Sequence, residues 1–295
     1  MTLSLVRRLL GTITAVVLGL ASFNACADAA GLRAKHAELR ESLRSNGYQR
    51  AMHIDSHESG DTLAGDVYAV LDHPFAKVSA ALKEPGGWCD ILILPFNTKY
   101  CHPVNSGGGP ALLVRIGRKY DQPVDKAYRL EFAFRNVAAA PDYFEARLTS
   151  PEGPLSTRDY RIVVKAVPLD SGHTFLHLDY SYAYGMAGRM AMQAYLATVG
   201  SSKVGFTVTG RNASGQPEFI GGVRGTVERN AMRYYLAIDA YLDSLDTPAA
   251  QRAEKRIQQW FSESERYPRQ LREMDQPTYV GMKRQEVQRQ QTLIP

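Results

Sequence analysis

The sequence predicts an α+β fold in which a curved antiparallel sheet packs on a long C-terminal helix. Two observations carry that prediction. From Leu112 to Tyr184, apolar residues recur with a period of two in successive segments joined by short polar connections, the mark of strands with one buried face. Residues 223 to 245 then place Val227, Ala231, Tyr234, Ile238, Tyr241, Leu242 and Leu245 at helical spacing. An antiparallel sheet is stable only when its apolar side is covered, and this helix supplies the cover.

The chain of 295 residues, 44% hydrophobic and 22% charged, is long enough to bury a substantial core. Its 24 Gly, 15 Pro and 3 Cys exclude collagen-like, linker and disulfide-scaffold classes. At the start, Arg7 and Arg8 precede an uncharged run from Leu9 to Phe23, and Ala25-Cys26-Ala27 follows. This pattern predicts a secretory signal peptide over residues 1–27. The run is short of the roughly 20 residues that a bilayer span needs. A retained anchor or a lipoprotein cysteine at Cys26 are the alternatives, and Phe23 and Asn24 suit the second poorly. The expected location is periplasmic or secreted.

Removing the leader leaves 33 basic against 30 acidic residues, a net +3, too little to point to nucleic acid as a partner. It also removes Cys26, so Cys89 and Cys101 remain in an oxidising compartment and are expected to form a disulfide. Closing so short a loop stabilises by about 3 kcal/mol on the chain-entropy model. The spacing is not CxxC, so the bond reads as a staple and not as a redox centre.

Residues 31–46 carry Leu32, Leu39 and Leu43 among charged residues, an added N-terminal helix stopped by Asn46-Gly47. Strands are expected at 49–57 and 61–71 around Ser59-Gly60-Asp61. Pro74 opens a helix with Phe75, Val78, Ala81 and Leu82, expected to end before Pro85-Gly86-Gly87, and Trp88 to Leu94 is a short apolar segment. After the Gly107 to Pro110 turn come the alternating strands: Leu112, Val114, Ile116; then Tyr128, Leu130, Phe132, Phe134; then Phe144, Ala146, Leu148. Tyr160, Ile162, Val164 and Ala166 follow, and Leu176 to Tyr184 is last. Residues 186–199 read as a short helix or lid and 203–209 as a further strand. The helical tail 247–295 holds nine basic and six acidic residues, hence the whole mature charge. Its Ile257, Trp260 and Phe261 either pack back on the domain or meet an anionic membrane surface or a protein partner. The chain thus divides into leader (1–27), domain (28–246) and tail (247–295).

This order of elements resembles the START-related lipid-transfer superfamily, also called SRPBCC or helix-grip proteins. The matching parts are the strand through Gly65-Asp66-Val67-Tyr68, the helix after His73-Pro74, the strands from Leu112 to Tyr184 and the helix Val223 to Leu245. The insertion 186–209, the N-terminal additions and the tail depart from the family pattern, so the chain looks like a divergent exported bacterial member. The resemblance implies a helix-grip fold and the binding or transport of a hydrophobic small molecule such as a lipid, fatty acid or sterol-like compound, without a cofactor. Some relatives are cyclases or hydrolases, so an enzyme in the same cavity is the second expectation. A ligand-free structural or assembly protein with a solid core is the third.

The candidate ligand residues are Tyr128, Phe132, Phe134, Phe144, Tyr160, Tyr180, Tyr182, Tyr184 and Tyr234, aromatic side chains on the sheet and the long helix. The competing reading is that these rings fill the core. Met190, with Met186 and Met192, suits an adaptable lid. Arg224 is a candidate for an anionic head group, as is Arg229, unless Glu228 pairs with them. Glu228 also suits compensation of the helix dipole. His53, Asp55 and His57 share one side of a strand and resemble a zinc set, while His177 and Asp179 resemble an acid–base pair on the outer face. Both read more simply as solvated strand faces, and no metal or catalytic residue is assigned. GxSxG, HExxH and Walker motifs are absent from the sequence, and Gly107 to Gly109 leads into a strand, with no helix N-terminus to hold phosphate.

Overall fold

The computed structural model describes residues 26–198, 200 and 202–292. The expected leader, apart from its last two residues, lies outside the described residues. Helices α1 (26–38) and α2 (Arg40–Arg44) come first, and strands β1 (Met52–Ser59) and β2 (Thr62–Leu71) follow. After α3 (Phe75–Leu82) and α4 (Pro85–Leu92) come β3 (Thr98–Ser106), β4 (Gly109–Ile116), β5 (Tyr128–Ala140), β6 (Tyr143–Glu152), β7 (Thr157–Pro168) and β8 (Thr174–Tyr184). These form one eight-stranded antiparallel sheet in the order β1-β2-β8-β7-β6-β5-β4-β3. Register shifts in β3, β5 and β7 mark bulges, which bend a sheet and raise its twist.

Helix α5 (Met186–Ala197) and the small hairpin of β9 (Val208–Arg211) and β10 (Pro217–Phe219) precede α6 (Gly222–Ser244). Helix α6 lies on β1, β2 and β8, the helix-grip arrangement. A side chain at Gly65 would start 3.2 Å from the Val227 carbonyl oxygen, so this glycine lets α6 sit close on β2. Helices α7 (Ala249–Glu265), α8 (Pro268–Leu271) and α9 (Gln276–Thr292) complete the chain.

Two local expectations need correction, at residues 203–207 and on the outer face of the sheet, and two further segments show their local cause. The helix of Phe75 to Leu82 ends before Pro85-Gly86-Gly87 as expected, and those three residues form the first turn of α4, where proline at the first position loses no bond. Strand β3 shows no alternation because α9 packs against it and residues 98–101 are all buried. Residues 203–207 are irregular: the buried Glu228 carboxylate accepts from the Phe206 and Thr207 amides, at 2.6 and 2.9 Å, and from the Ser56 and Thr207 hydroxyls. Glu228 is thus a clip for that segment and not a partner of Arg224. Finally, the outer face of the sheet is partly apolar, because Leu32, Leu39 and Leu43 pack there on Tyr143, Val167 and Phe175.

The tail folds back on the domain. Trp260 is fully buried, 5.0 Å from Phe96 and 5.1 Å from Tyr279 between ring centroids, and its Nε1–H donates to the Arg233 carbonyl. The patch of Ile257, Trp260 and Phe261 is therefore core, which removes the membrane or partner contact expected as its alternative role. Beside it, Lys99 and Lys283 flank Glu286 at 3.0 and 2.7 Å, all fully buried. Both ammonium groups are satisfied further by carbonyl oxygens: Phe96 for Lys99, Pro95 and Thr98 for Lys283. The Cys89–Cys101 disulfide joins α4 to β3 in the same region. Among the described residues no helix is long and apolar enough to cross a membrane.

Candidate ligand-binding site

A cavity of about 290 Å³ opens between the sheet and α6. Period-two placement on β8 puts Tyr180 and Tyr182 on the inner face, and Tyr160 of β7 stacks on Tyr182 at 5.3 Å and 12°. Tyr234 of α6 closes on Tyr180 at 5.1 Å, and Phe132 of β5 meets Tyr160 edge-on at 6.3 Å. These rings make one aromatic wall. Leu92, Val114, Ile116 and Leu130 make the apolar remainder, with Asn97, Thr98 and Asn230 as amide and hydroxyl groups.

The hollow exists because its cover is thin. Gly188, Ala191 and Met192 of α5 close it, together with Pro154 and Leu155 from the turn before β7. A Cβ at Gly188 would lie 3.1 Å from the Tyr184 Cβ and 3.2 Å from the Leu155 carbonyl oxygen, so glycine eases the close approach of α5. Leu155, Ser156 and Asp159 hold φ of 56°, 60° and 55°, a left-handed backbone that non-glycine residues adopt at a cost. That strain is concentrated at the cavity mouth.

The electrostatics are uniform: among the described residues no charged side chain lines the cavity. Burial raises the phenol pKa of Tyr160, Tyr180, Tyr182 and Tyr234, so all four remain neutral hydrogen-bonding groups. The Tyr160 hydroxyl donates to Thr157 Oγ1 at 2.9 Å, and Tyr180 hydrogen-bonds the Asn230 side chain.

Of the residues singled out from sequence, Phe132, Tyr160, Tyr180, Tyr182 and Tyr234 meet at this wall. The others lie elsewhere. Phe144 is solid core, and Phe134 borders a separate groove beside Pro85 and Arg147. Tyr128, 52% exposed, stands outside the mouth in a groove that shares Ile116 and Leu155. The Tyr184 hydroxyl donates to Glu58 at 2.7 Å. Met190, 65% exposed, is on the outer side of α5, and Met192 is the methionine that turns inward. Arg224 donates to the Ser56 hydroxyl and carbonyl, and Arg229 to the Val204 carbonyl. Neither reaches the cavity, which removes the guanidinium expected for a carboxylate ligand. Sequence reasoning missed Asn97, Thr98, Leu155 and Asn230. Only Asn230 left a signal, four residues before Tyr234 on one helical face.

The two polar sets seen in the sequence are on the outer face. His177 Nε2 is 2.6 Å from Asp66, and Asp179 pairs with Arg161, so His177 and Asp179 are not each other's partners. Asp55 and His57 are exposed on β1. Among the described residues, the His/Asp group with metal-ligand proximity is His73, Asp239 and Asp243. Each is already engaged: Asp239 with Arg50 at 2.6 Å, His73 Nε2 with Asp243 at 3.0 Å and His73 Nδ1 with the Lys77 ammonium at 3.3 Å. With two cations beside it, the group is an ion-pair network and a poor metal site.

No protein-family model matches the chain, and no curated protein does. Solved structures do show likeness. Norcoclaurine synthase from Thalictrum flavum, solved as a point mutant with a transition-state analogue, is 13% identical with a TM-score of 0.32, over 47% of this chain and 86% of its own. A conserved protein from Geobacillus kaustophilus is 12% identical with a TM-score of 0.36, over 61% and 95%. Ara h 8.0201 is 12% identical with a TM-score of 0.35, over 65% and 99%. These are distant likenesses, and the helix-grip fold stands on the sheet order and the helix laid across it.

Proposed function

We propose that this chain is an exported binding protein that carries an uncharged, ring-bearing apolar molecule in the cavity between the sheet and α6. One observation carries the reading: an open cavity of about 290 Å³ whose wall is stacked phenols and whose lining bears no charge. Stacked rings offer apolar surface with hydroxyls at their tips, which orients a hydroxyl or carbonyl of a ligand without demanding an ion. A fatty-acid carboxylate there would be a buried charge without a partner, a costly arrangement. The lining residues also provide no imidazole, thiol, amine or carboxylate, and the phenols are shifted away from acting as bases. Carriage is therefore favoured over catalysis. The leader-like residues 1–27 support export to the periplasm, and the Cys89–Cys101 disulfide agrees with an oxidising compartment.

The test uses N-phenyl-1-naphthylamine, a neutral probe that fluoresces in apolar surroundings, with palmitate as competitor. Saturable binding that weakens in Tyr180→Phe and resists palmitate is the expected result. Absence of probe binding, with no organic compound extractable from natively purified protein, would overturn the carrier reading.

A further inference from the structure

A second concavity lies apart from the tyrosine wall, where most of the additions to the grip converge. It is a groove of about 620 Å³ between residues 45–48 after α2, the β9–β10 hairpin and the turn from α7 into α8. Its floor is aromatic and pinned. Phe206 lies 5.4 Å from Tyr267 and 6.1 Å from Tyr48 between ring centroids. The Glu228 clip fixes the Phe206 backbone, and the Tyr267 hydroxyl donates to the Tyr48 carbonyl at 2.8 Å. Three segments far apart in sequence are thus held in place, so little ordering remains for a ligand to impose.

The rim is cationic. Arg266 is engaged by Glu263 at 3.0 Å, but Arg211 and Arg269 have no carboxylate at ion-pair distance among the described residues. Arg211 donates to the Gly215 carbonyl at 2.8 Å, and the Arg269 guanidinium lies over the Phe219 ring at 5.2 Å. Among the described residues no Asp or Glu lines the groove. Two guanidinium groups without a carboxylate partner, beside a rigid aromatic floor, have the opposite chemistry to the uncharged cavity.

We infer that this groove is a second binding site, selective for a small amphiphilic anion whose apolar body lies on the Phe206–Tyr267 floor and whose carboxylate or sulfonate meets Arg211 and Arg269. The inference does not depend on the cavity being loaded. Two probes that differ by one sulfonate separate the sites: 8-anilinonaphthalene-1-sulfonate for the groove and neutral N-phenyl-1-naphthylamine for the cavity. The exposed double substitution Arg211→Glu with Arg269→Glu is expected to weaken the sulfonate probe by about tenfold or more, as for loss of a hydrogen bond to a charged group, and to leave the neutral probe unchanged. On the unmodified protein, raising salt from about 0.05 to about 0.5 M is expected to weaken only the sulfonate probe, because exposed charges are screened. Sulfonate binding that is absent, indifferent to both changes, or displaced mole for mole by the neutral probe would overturn the second site. Loss of neutral-probe binding alone would count against the cavity and leave the groove standing.

Discussion

Two regions of the interior bury polar groups in opposite ways, and they meet at β3. Thr98 lines the cavity, whereas the next residue, Lys99, belongs to the ion cluster with Glu286 and Lys283. Beside that cluster, α7 and α9 bring Trp260 and Tyr279, which are fully buried and pack on each other and on Phe96. Under α5, the cover is Gly188, Ala191 and Met192, and a hollow remains. The difference shows that the covering side chains, more than the sheet, decide where this fold is open. It also shows where charge is tolerated: each ion of the Lys99–Glu286–Lys283 cluster has several bonding partners, whereas the described lining of the open region offers hydroxyls and amides but no countercharge.

The largest effect expected from breaking this contrast is on stability. Trp260→Ala removes the ring that packs on Phe96 and Tyr279 and should cost about 3–5 kcal/mol, as large-to-small changes in a filled core do. Tyr180→Phe removes one hydroxyl at the hollow and should cost no more than about 1.5 kcal/mol. Urea midpoints with unchanged slopes compare the two directly. Equal losses would mean that the two regions are packed alike.

The disulfide is next in size. Its 12-residue separation predicts that Cys89→Ser with Cys101→Ser loses about 3 kcal/mol. Because the bond ties α4 to β3, amide exchange should accelerate first at residues 96–101 and last at β8. Uniform acceleration along the chain would place the effect in the unfolded state alone and not in the solid region.

How much of this was legible in the sequence follows from what each residue's neighbours do. Leu178, Tyr180 and Tyr182 face the interior and alternate with polar residues, so β8 could be read from period alone, as could α6. The Cys89–Cys101 pair was readable from compartment and count. Strand β3 was not, because a helix 180 or so positions later buries its second face and erases the alternation. Phe132 and Phe144 have the same pattern in sequence, yet one borders the cavity and the other is packed solid. Only the covering element separates them, and that element is remote in sequence. Arg224 failed as a ligand residue for a related reason: its partner Ser56 lies on β1, and nothing near Arg224 in the chain announces it. Leu155 sits in a strained turn, where no periodicity operates.

The response to alkaline pH sets the buried Lys283 ammonium against the buried phenols, which act with opposite sign. Burial lowers the Lys283 pKa from the ordinary lysine value of 10.5 to about 8, despite the attraction of Glu286. Between those values the unfolded chain binds a proton that the folded chain has released, so stability rises with pH from about 8, at no more than about 1.4 kcal/mol per unit for one proton. The buried phenols, those of the cavity and Tyr279 of the solid region alike, act the other way. Burial raises Tyr180, Tyr182 and Tyr234 above the ordinary 10, so above that pH the folded state keeps protons that the unfolded state loses, and stability falls. Urea midpoints measured from pH 7 to 11 should therefore pass through a maximum near pH 10. Lys283→Met should be less stable throughout but flat between pH 8 and 10, because the titrating ammonium is gone. Tyr180→Phe should keep the rise and soften the fall. If the rise survives in Lys283→Met, the buried ammonium is not its source.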